Sequence, residues 1–294
     1  MVRKDLGFQT ICHLVLIIMS VLVLFPIALL FISSMSPESD IIKYGYSLVP
    51  KSFDFTAYKY IFKEGSVFHS YFITIIVTFT GTIVSILITT MLSYTLTVKE
   101  LPGRGILSFL VLFTMLFSGG LVPSYMMWTT LFHIKNTIWA LLVPNMLCNA
   151  FHIMITRSFF QNNIPPAILE SARIDGMNEF GIFFKMVLPL STPIIATIGF
   201  MKALMYWNDW TNSLYYITDK NLVGIQALLN NMLTNVKYLA QSMDASSVAT
   251  DVANIPSLSM RLAIAVVGMI PMIILYPFFQ KYYMKGLTVG AVKG

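Results

Sequence analysis

An all-α, polytopic membrane protein with six transmembrane helices is what this sequence predicts, and three observations carry the prediction. The 294 residues are 56% hydrophobic and only 11% charged, with a mean hydropathy of +0.75, whereas soluble domains carry about 25% charged residues. Read from charge to charge, the uncharged stretches are 6–37, 65–98, 105–134, 136–156, 186–201 and 262–280. A helix of roughly 20 residues crosses about 30 Å of hydrocarbon, so these are six candidate spans. Within the second stretch Thr74, Thr78, Thr82, Ser85, Thr89 and Ser93 recur every three or four residues, the period of a helix face rather than of a strand.

The elements follow in order. Arg3 and Lys4 lead into an apolar run at 11–32, longer than the roughly 7–15 residues of a signal-peptide core, so 1–10 is expected as a cytoplasmic N-terminus before an uncleaved first span. The mixed segment 36–69 carries Tyr44, Tyr46, Phe53, Phe55, Tyr58 and Tyr60, which suit a membrane interface. The hydroxyl face of the second span suits close helix packing, since small residues let membrane helices approach. In the fourth stretch Asn145, Asn149, His152 and Thr156 share a face beside Pro144, which removes a backbone donor. That face fits either packing around a kink or a water-lined path, because polar groups facing lipid cost several kcal/mol each.

The segment 164–189 is expected on the inner side as two short helices. Pro165 and Pro166 suit a first turn, Gly176 can take the left-handed conformation that ends a helix, and Asn178 can cap the next. Ile168, Leu169 and Ala172 give the first helix an apolar patch, with Glu170, Arg173 and Asp175 supplying charge. Such a pair suits docking a partner and passing its movement through Leu188 and Pro189 into the next span; resting on lipid headgroups is the plainer alternative.

Lys202 lies thirteen residues beyond Pro189, roughly 20 Å along a helix. An intramembrane lysine is a functional candidate, with snorkelling or an ion pair to Asp209 as alternatives. The cluster Tyr206, Trp207, Asn208, Asp209 and Trp210 has the chemistry of a sugar subsite, and equally that of an aromatic belt. In the outer loop 207–260, Leu222, Ile225, Leu228, Leu229, Met232, Leu233 and Val236 follow a helical period between Gln226, Asn230, Asn231 and Asn235, which predicts an amphipathic helix on the outer surface. The spans end in a cytoplasmic tail, 282–294.

With the N-terminus inside, both ends are cytoplasmic. Arg3, Lys4, Lys99, Arg104, Arg157, Arg173, Lys185, Lys281, Lys285 and Lys293 then lie inside, ten against the eight outside, and they crowd into short segments near membrane ends, where the bias counts most. The net charge of +6 is dispersed without a run or stripe, which excludes nucleic acid as the expected partner. Cys12 and Cys148 fall inside predicted spans and read as small buried hydrophobes. No metal-ligand spacing, His-Glu-x-x-His, Gly-x-Ser-x-Gly or Walker A sequence occurs, so an intramembrane enzyme is a weak reading. An ion-coupled carrier would hold carboxylates within its spans, yet the acidic residues lie outside the predicted hydrocarbon. Absence of an internal repeat also fails to support two inverted halves, and energy from a partner is the better expectation.

The stretch Glu170-Ser171-Ala172, Gly176 and Leu188-Pro189 resembles the EAA motif of ABC importer permeases, with Glu-Ala-Ala, Gly at the seventh position and Leu-Pro at the nineteenth and twentieth. Ser171 replaces the first Ala and Met186 the usual Ile. The resemblance extends through Asn136-Thr-Ile-Trp-Ala with Pro144, Tyr206-Trp207-Asn208, Leu228 and the ending from Lys285 to Lys293. It looks like the carbohydrate-uptake branch, close to the polysaccharide and multiple-sugar permeases of Gram-positive bacteria.

The resemblance implies a type I importer transmembrane domain over 11–281, with 164–189 as its coupling loop. It implies a second, different permease subunit, paired cytoplasmic ATPases that bind ATP and Mg2+, an extracellular solute-binding lipoprotein, and a sugar or oligosaccharide crossing a bacterial cell membrane. This chain would itself hold no cofactor. Glu170, Ser171, Ala172, Asp175, Gly176, Leu188 and Pro189 are the implied coupling residues. Asn145, Asn149, His152, Lys202, Tyr206, Trp207, Asn208 and Asp209 are the candidate substrate path.

Overall fold

The computed structural model describes residues 6–63, 65–144, 146–243 and 257–291, which form helices and no strand. Helix α1 (Leu6–Ser34) is followed by the short α2 (Glu38–Tyr44) and α3 (Thr56–Phe62), then by α4 (Ser66–Thr95). Next come α5 (Arg104–Leu116), α6 (Leu121–Met126) running into a π turn, α7 (Trp139–Leu142), α8 (Ala150–Asn163), α9 (Pro166–Ile174) and α10 (Glu179–Ile182). A second π turn leads to α11 (Leu188–Leu190), α12 (Thr192–Trp207), α13 (Thr211–Tyr216), α14 (Ile225–Met243) and α15 (Ser257–Ala291).

Three of these, α1, α4 and α15, contain stretches long and apolar enough to cross a membrane unaided. Two more candidates are bent pairs: α5 with the α6 arm at 116°, and the arm Glu179–Leu190 with α12 at 83°. The third expected span, 105–134, is therefore not one straight helix. Gly119 and Gly120, the latter at φ +83°, interrupt it, as glycines in the left-handed region do. The fourth, 136–156, is divided between α7, which ends at Leu142, and α8, which starts at Ala150. Pro144 supplies no N–H to the carbonyl of Ala140, so the ladder stops there.

The fifth span starts at Thr192, later than the expected 186. Pro189 likewise withholds a donor from Lys185, and the helix ahead of it takes π register through Phe183–Val187. The expected amphipathic helix of the 207–260 loop is α14, with Ile225, Leu229 and Val236 buried.

The chain forms two compact units, one of Met1–Val67 with Leu229–Ile270 and the other of Phe68–Leu228 with Pro271–Gly294. In the first, α1 buries none of the residues in its apolar window. Its C-terminal end is tied to the next segment by a 2.6 Å hydrogen bond between Ser34 Oγ and Tyr58 Oη and by donation from the Asp54 amide to the Met35 carbonyl. The Glu38 carboxylate accepts from the Leu258 amide at the start of α15, where a negative charge suits a helix N-terminus. Tyr44, Tyr46, Phe53, Phe55 and Tyr60 remain exposed.

The described residues of the second unit include two cores. One gathers Tyr94, Phe160, Ile164, Ala172, Ile182, Phe183, Val187, Ile194 and Ile198 around α9 and α10. The other joins Ile73, Val77, Ala140, Leu141, Leu142, Tyr206, Tyr216 and Ile217 around the break after α7. The hydroxyl face of α4 packs as expected for small polar residues: Ser93 Oγ donates to the Ile153 carbonyl at 2.9 Å, and Thr74 Oγ1 accepts from the Ile225 amide at 2.8 Å.

Candidate functional site: an inner helix pair and a broken span

The helix pair at 164–189 is closed by local bonds. Pro166 opens α9, where its missing N–H costs nothing. At the other end Gly176 stands at φ +79°, its amide donates to the Arg173 carbonyl, and the Met177 amide donates to the Ala172 carbonyl. That pair of bonds is the Schellman arrangement. Nothing lies within 4 Å of a Cβ built on Gly176, so its backbone conformation, not space, restricts it to glycine. Asn178 Oδ1 then accepts from the Gly181 amide at 2.8 Å and caps α10.

Within this frame Ala172 is buried, 1% exposed, whereas Glu170, Ser171, Asp175 and Gly176 are exposed. Ile174, Phe180 and Phe184 are exposed beside them, a surface of apolar groups flanked by charge. Leu188 is half-buried and Pro189 exposed. Arg173 Nε lies 2.7 Å from Glu179 Oε1, and this bond holds the Glu179 carboxyl below its ordinary range. The Tyr94 hydroxyl donates to the other carboxylate oxygen. Beside them a cavity of about 300 Å³ is lined by Lys99, Glu100, Glu170 and Arg173.

The described candidate path residues are not gathered on one lining. Four side chains instead collect the carbonyls released by the break. Tyr206 Oη donates to Leu142, 2.9 Å; Asn212 Nδ2 to Pro144, 3.2 Å; Lys202 Nζ to Met146; and Ser85 Oγ to Leu147, 2.7 Å. Irregular backbone at membrane depth persists only where protein or trapped water satisfies it, and here protein does.

Lys202 is 0% exposed, which rules out snorkelling. Its ammonium is bonded to the Met146 carbonyl, while Asp209 accepts from the Thr211 and Asn212 amides and starts α13. Burial pushes the Asp209 carboxyl above its ordinary range.

Asn149 caps α8 by accepting from the His152 amide. His152 is buried, with Nδ1 lacking a partner among the described residues. Trp207 is buried with its ring 6.0 Å from that of Tyr71, and Asn208 is exposed. Asn145 lies outside the described residues. Cys148, expected to be buried, is exposed because it sits in the break, and Cys12 is half-buried. A mainly apolar cleft of about 520 Å³ runs between α4 and α12, lined by Thr78, Thr82, Gly199, Ala203, Trp207 and Phe279.

Sequence reasoning passed over Gly81, Tyr94, Glu179 and Asn212. Gly81 had a signal, since it lies three residues after Thr78 on the small-residue side of α4: a Cβ there would stand 2.5 Å from the Tyr206 ring.

No protein-family model matches the chain. Among curated relatives, the polygalacturonan/rhamnogalacturonan transport system permease protein YtcP of Bacillus subtilis is 36% identical over 99% of this chain and 100% of its own length. The arabinooligosaccharides transport system permease protein AraQ of the same organism is 30% identical over 94% of this chain and 92% of its own. Among solved structures, a bacterial ABC transporter involved in the import of the acidic polysaccharide alginate superposes with a TM-score of 0.79 and 27% identity, covering 96% of this chain and 99% of that one.

Proposed function

The chain belongs to the permease subunits of sugar and oligosaccharide ABC importers, and from that premise we propose that its inner helix pair is the surface through which cytoplasmic ATPases drive it. It is an integral membrane transport subunit, and relatives named as permeases of transport systems do not favour an ion-coupled carrier or an intramembrane enzyme. The supporting observation is the geometry at the motif spacing. A Schellman-closed α9 buries Ala172 against the bundle and turns Glu170 and Ser171 outward, as a helix must to enter a groove on a partner.

In this reading the ATPases bind ATP and Mg2+, and Glu170, Ser171, Asp175 and Gly176 meet them. Displacement of the pair then passes through Leu188 and Pro189 to α12. A second, different permease completes the channel, and an extracellular solute-binding lipoprotein delivers the cargo. The cargo is an oligosaccharide, in keeping with the saccharides named for the relatives, and it passes Trp207, which lines the cleft, and the exposed Asn208 at the end of α12. Both termini and the helix pair are cytoplasmic.

Purification of the tagged chain from its own membranes tests this. Attached ATPases, one other permease and sugar-stimulated hydrolysis are expected; a solitary chain with no ATPase attached contradicts it. Single cysteines at positions 178 and 230, in a background lacking Cys12 and Cys148, should react from opposite sides of the membrane. Reaction of both from outside would reverse the orientation.

A further inference from the structure

We propose that Tyr94, at the C-terminal end of α4, and Glu179, at the start of α10, form a second mechanical link from the helix pair into the bundle, so that a displacement of the pair moves α4 together with α12. The proposal rests on the reading of the pair as the ATPase-docking element.

One carboxylate joins three helices. Glu179 belongs to α10, its Oε1 accepts from Arg173 Nε of α9, and its Oε2 accepts from the hydroxyl of Tyr94 on α4 and, at 3.4 Å, from Arg173 Nη2. Arg173 thereby orients the carboxylate so that its second oxygen faces the phenol. The Tyr94 ring is 6% exposed and sits 5.6 Å from the ring of Phe183, in the core that also holds Val187, Ile194 and Ile198.

A separate link is needed because of how the chain runs. The covalent route from the pair to α12 passes an 83° bend at the buried Ser191, whose hydroxyl has no partner among the described residues, and a bend is a joint before it is a lever. Along the backbone, helix α4 is joined to α9 only through the intervening α5 to α8, so the chain itself gives a push on α9 no short route to it. The Tyr94 bond spans that gap directly.

Its value is geometric. The Glu179 side chain is 50% exposed, and an ion pair in that setting adds little to folding. A hydrogen bond to a charged acceptor, however, fixes a donor firmly in direction. Both α4 and α12 border the 520 Å³ cleft. Moving them together would preserve that cleft, whereas moving α12 alone would shear it.

The test uses the assembled importer in proteoliposomes, with Tyr94→Phe and Glu179→Ala made singly and together. ATP hydrolysis, sugar import and attached ATPase are measured on each. Tyr94→Phe keeps the ring in its core and removes only the hydroxyl. Attachment and basal hydrolysis should stay at the parent level, while sugar imported per ATP falls about tenfold in each single variant. The double variant should fall no further than Glu179→Ala alone, since that change already removes the carboxylate to which Tyr94 donates. Local packing alone would alter thermal stability but not the import-to-hydrolysis ratio.

An unchanged ratio in both single variants, or losses that add in the double variant, would overturn the link. If Tyr94→Phe fails to assemble, the surface variant Glu179→Ala decides alone, by the same ratio. Failure of the parent chain to hold any ATPase would instead strike the docking reading, so the two failures are distinct.

Discussion

The inner helix pair and the break after α7 solve one problem in opposite ways. In each the chain leaves helical geometry and exposes backbone groups that need partners. At the pair the partners are local: Gly176 and Met177 reach carbonyls three and five residues back, and Asn178 caps the amide three residues on. At the break they are distant, with Lys202, Tyr206 and Asn212 lying 56, 64 and 68 residues from the carbonyls they serve. A turn closed by its neighbours can be moved as a piece. A break closed by other helices is fixed to them, so damage there should unsettle the bundle while damage at the pair should spare it.

The largest expected effect falls on the break. Gly81→Val places a Cβ where the Tyr206 ring lies, 2.5 Å away, so the ring must leave and the Leu142 carbonyl loses its donor. Overpacking of about 1–3 kcal/mol and an orphaned acceptor of about 1–3 kcal/mol act together. Thermal unfolding of the purified protein should show a large loss, and wild-type stability would mean that the ring is not seated there.

Tyr206→Phe removes only the hydroxyl and should cost the second of those amounts, about 1–3 kcal/mol. Equal stability of the two proteins would show that water replaces the phenol at Leu142, and the break would be less protein-bound than the comparison requires.

At the pair, Gly176→Val meets open space, so only the left-handed backbone resists it, at roughly 1–2 kcal/mol. Unfolding should lose no more than that, well short of the loss in Gly81→Val, although import is lost. A bundle as damaged as by Gly81→Val would erase the contrast between the regions.

The smallest effect concerns acid. Because Arg173 holds the Glu179 carboxyl below its ordinary range, the bonds to Arg173 and Tyr94 contribute fully above that range and are lost only as pH falls through the lowered value. The half-exposed setting keeps the gain small. Hydrogen exchange around 173–183 should therefore be flat from about pH 5 to 8 apart from its intrinsic dependence, and protection should drop below about pH 4. Loss of protection near neutrality would contradict the assignment.

The same contrast decides what the sequence discloses. Pro166, Gly176 and Asn178 each act within a few residues, so the helix pair could be read directly from their order, and the 3.6-residue period from Leu222 to Val236 disclosed α14 in the same way. Pro144 announced a defect in its span. Nothing near it named Tyr206, Lys202 or Asn212 as the groups that repair it, because those contacts exist only once α12 and α13 pack beside the break. Lys202 and Tyr206 were legible as polar residues in an apolar span, and a path lining was the natural reading of them. The fold turns both toward backbone carbonyls. Tyr94 and Glu179, 85 residues apart, left no trace in local pattern at all.

The most direct test of the account is the amount of ATPase that co-purifies with Glu170→Lys, read beside the unfolding temperature of the same preparation. Glu170 is exposed on α9 and outside the buried cores, so reversal of its charge should leave unfolding unchanged while the ATPase and sugar import are lost together. Wild-type attachment and import in this variant would contradict the claim that the helix pair is the docking surface.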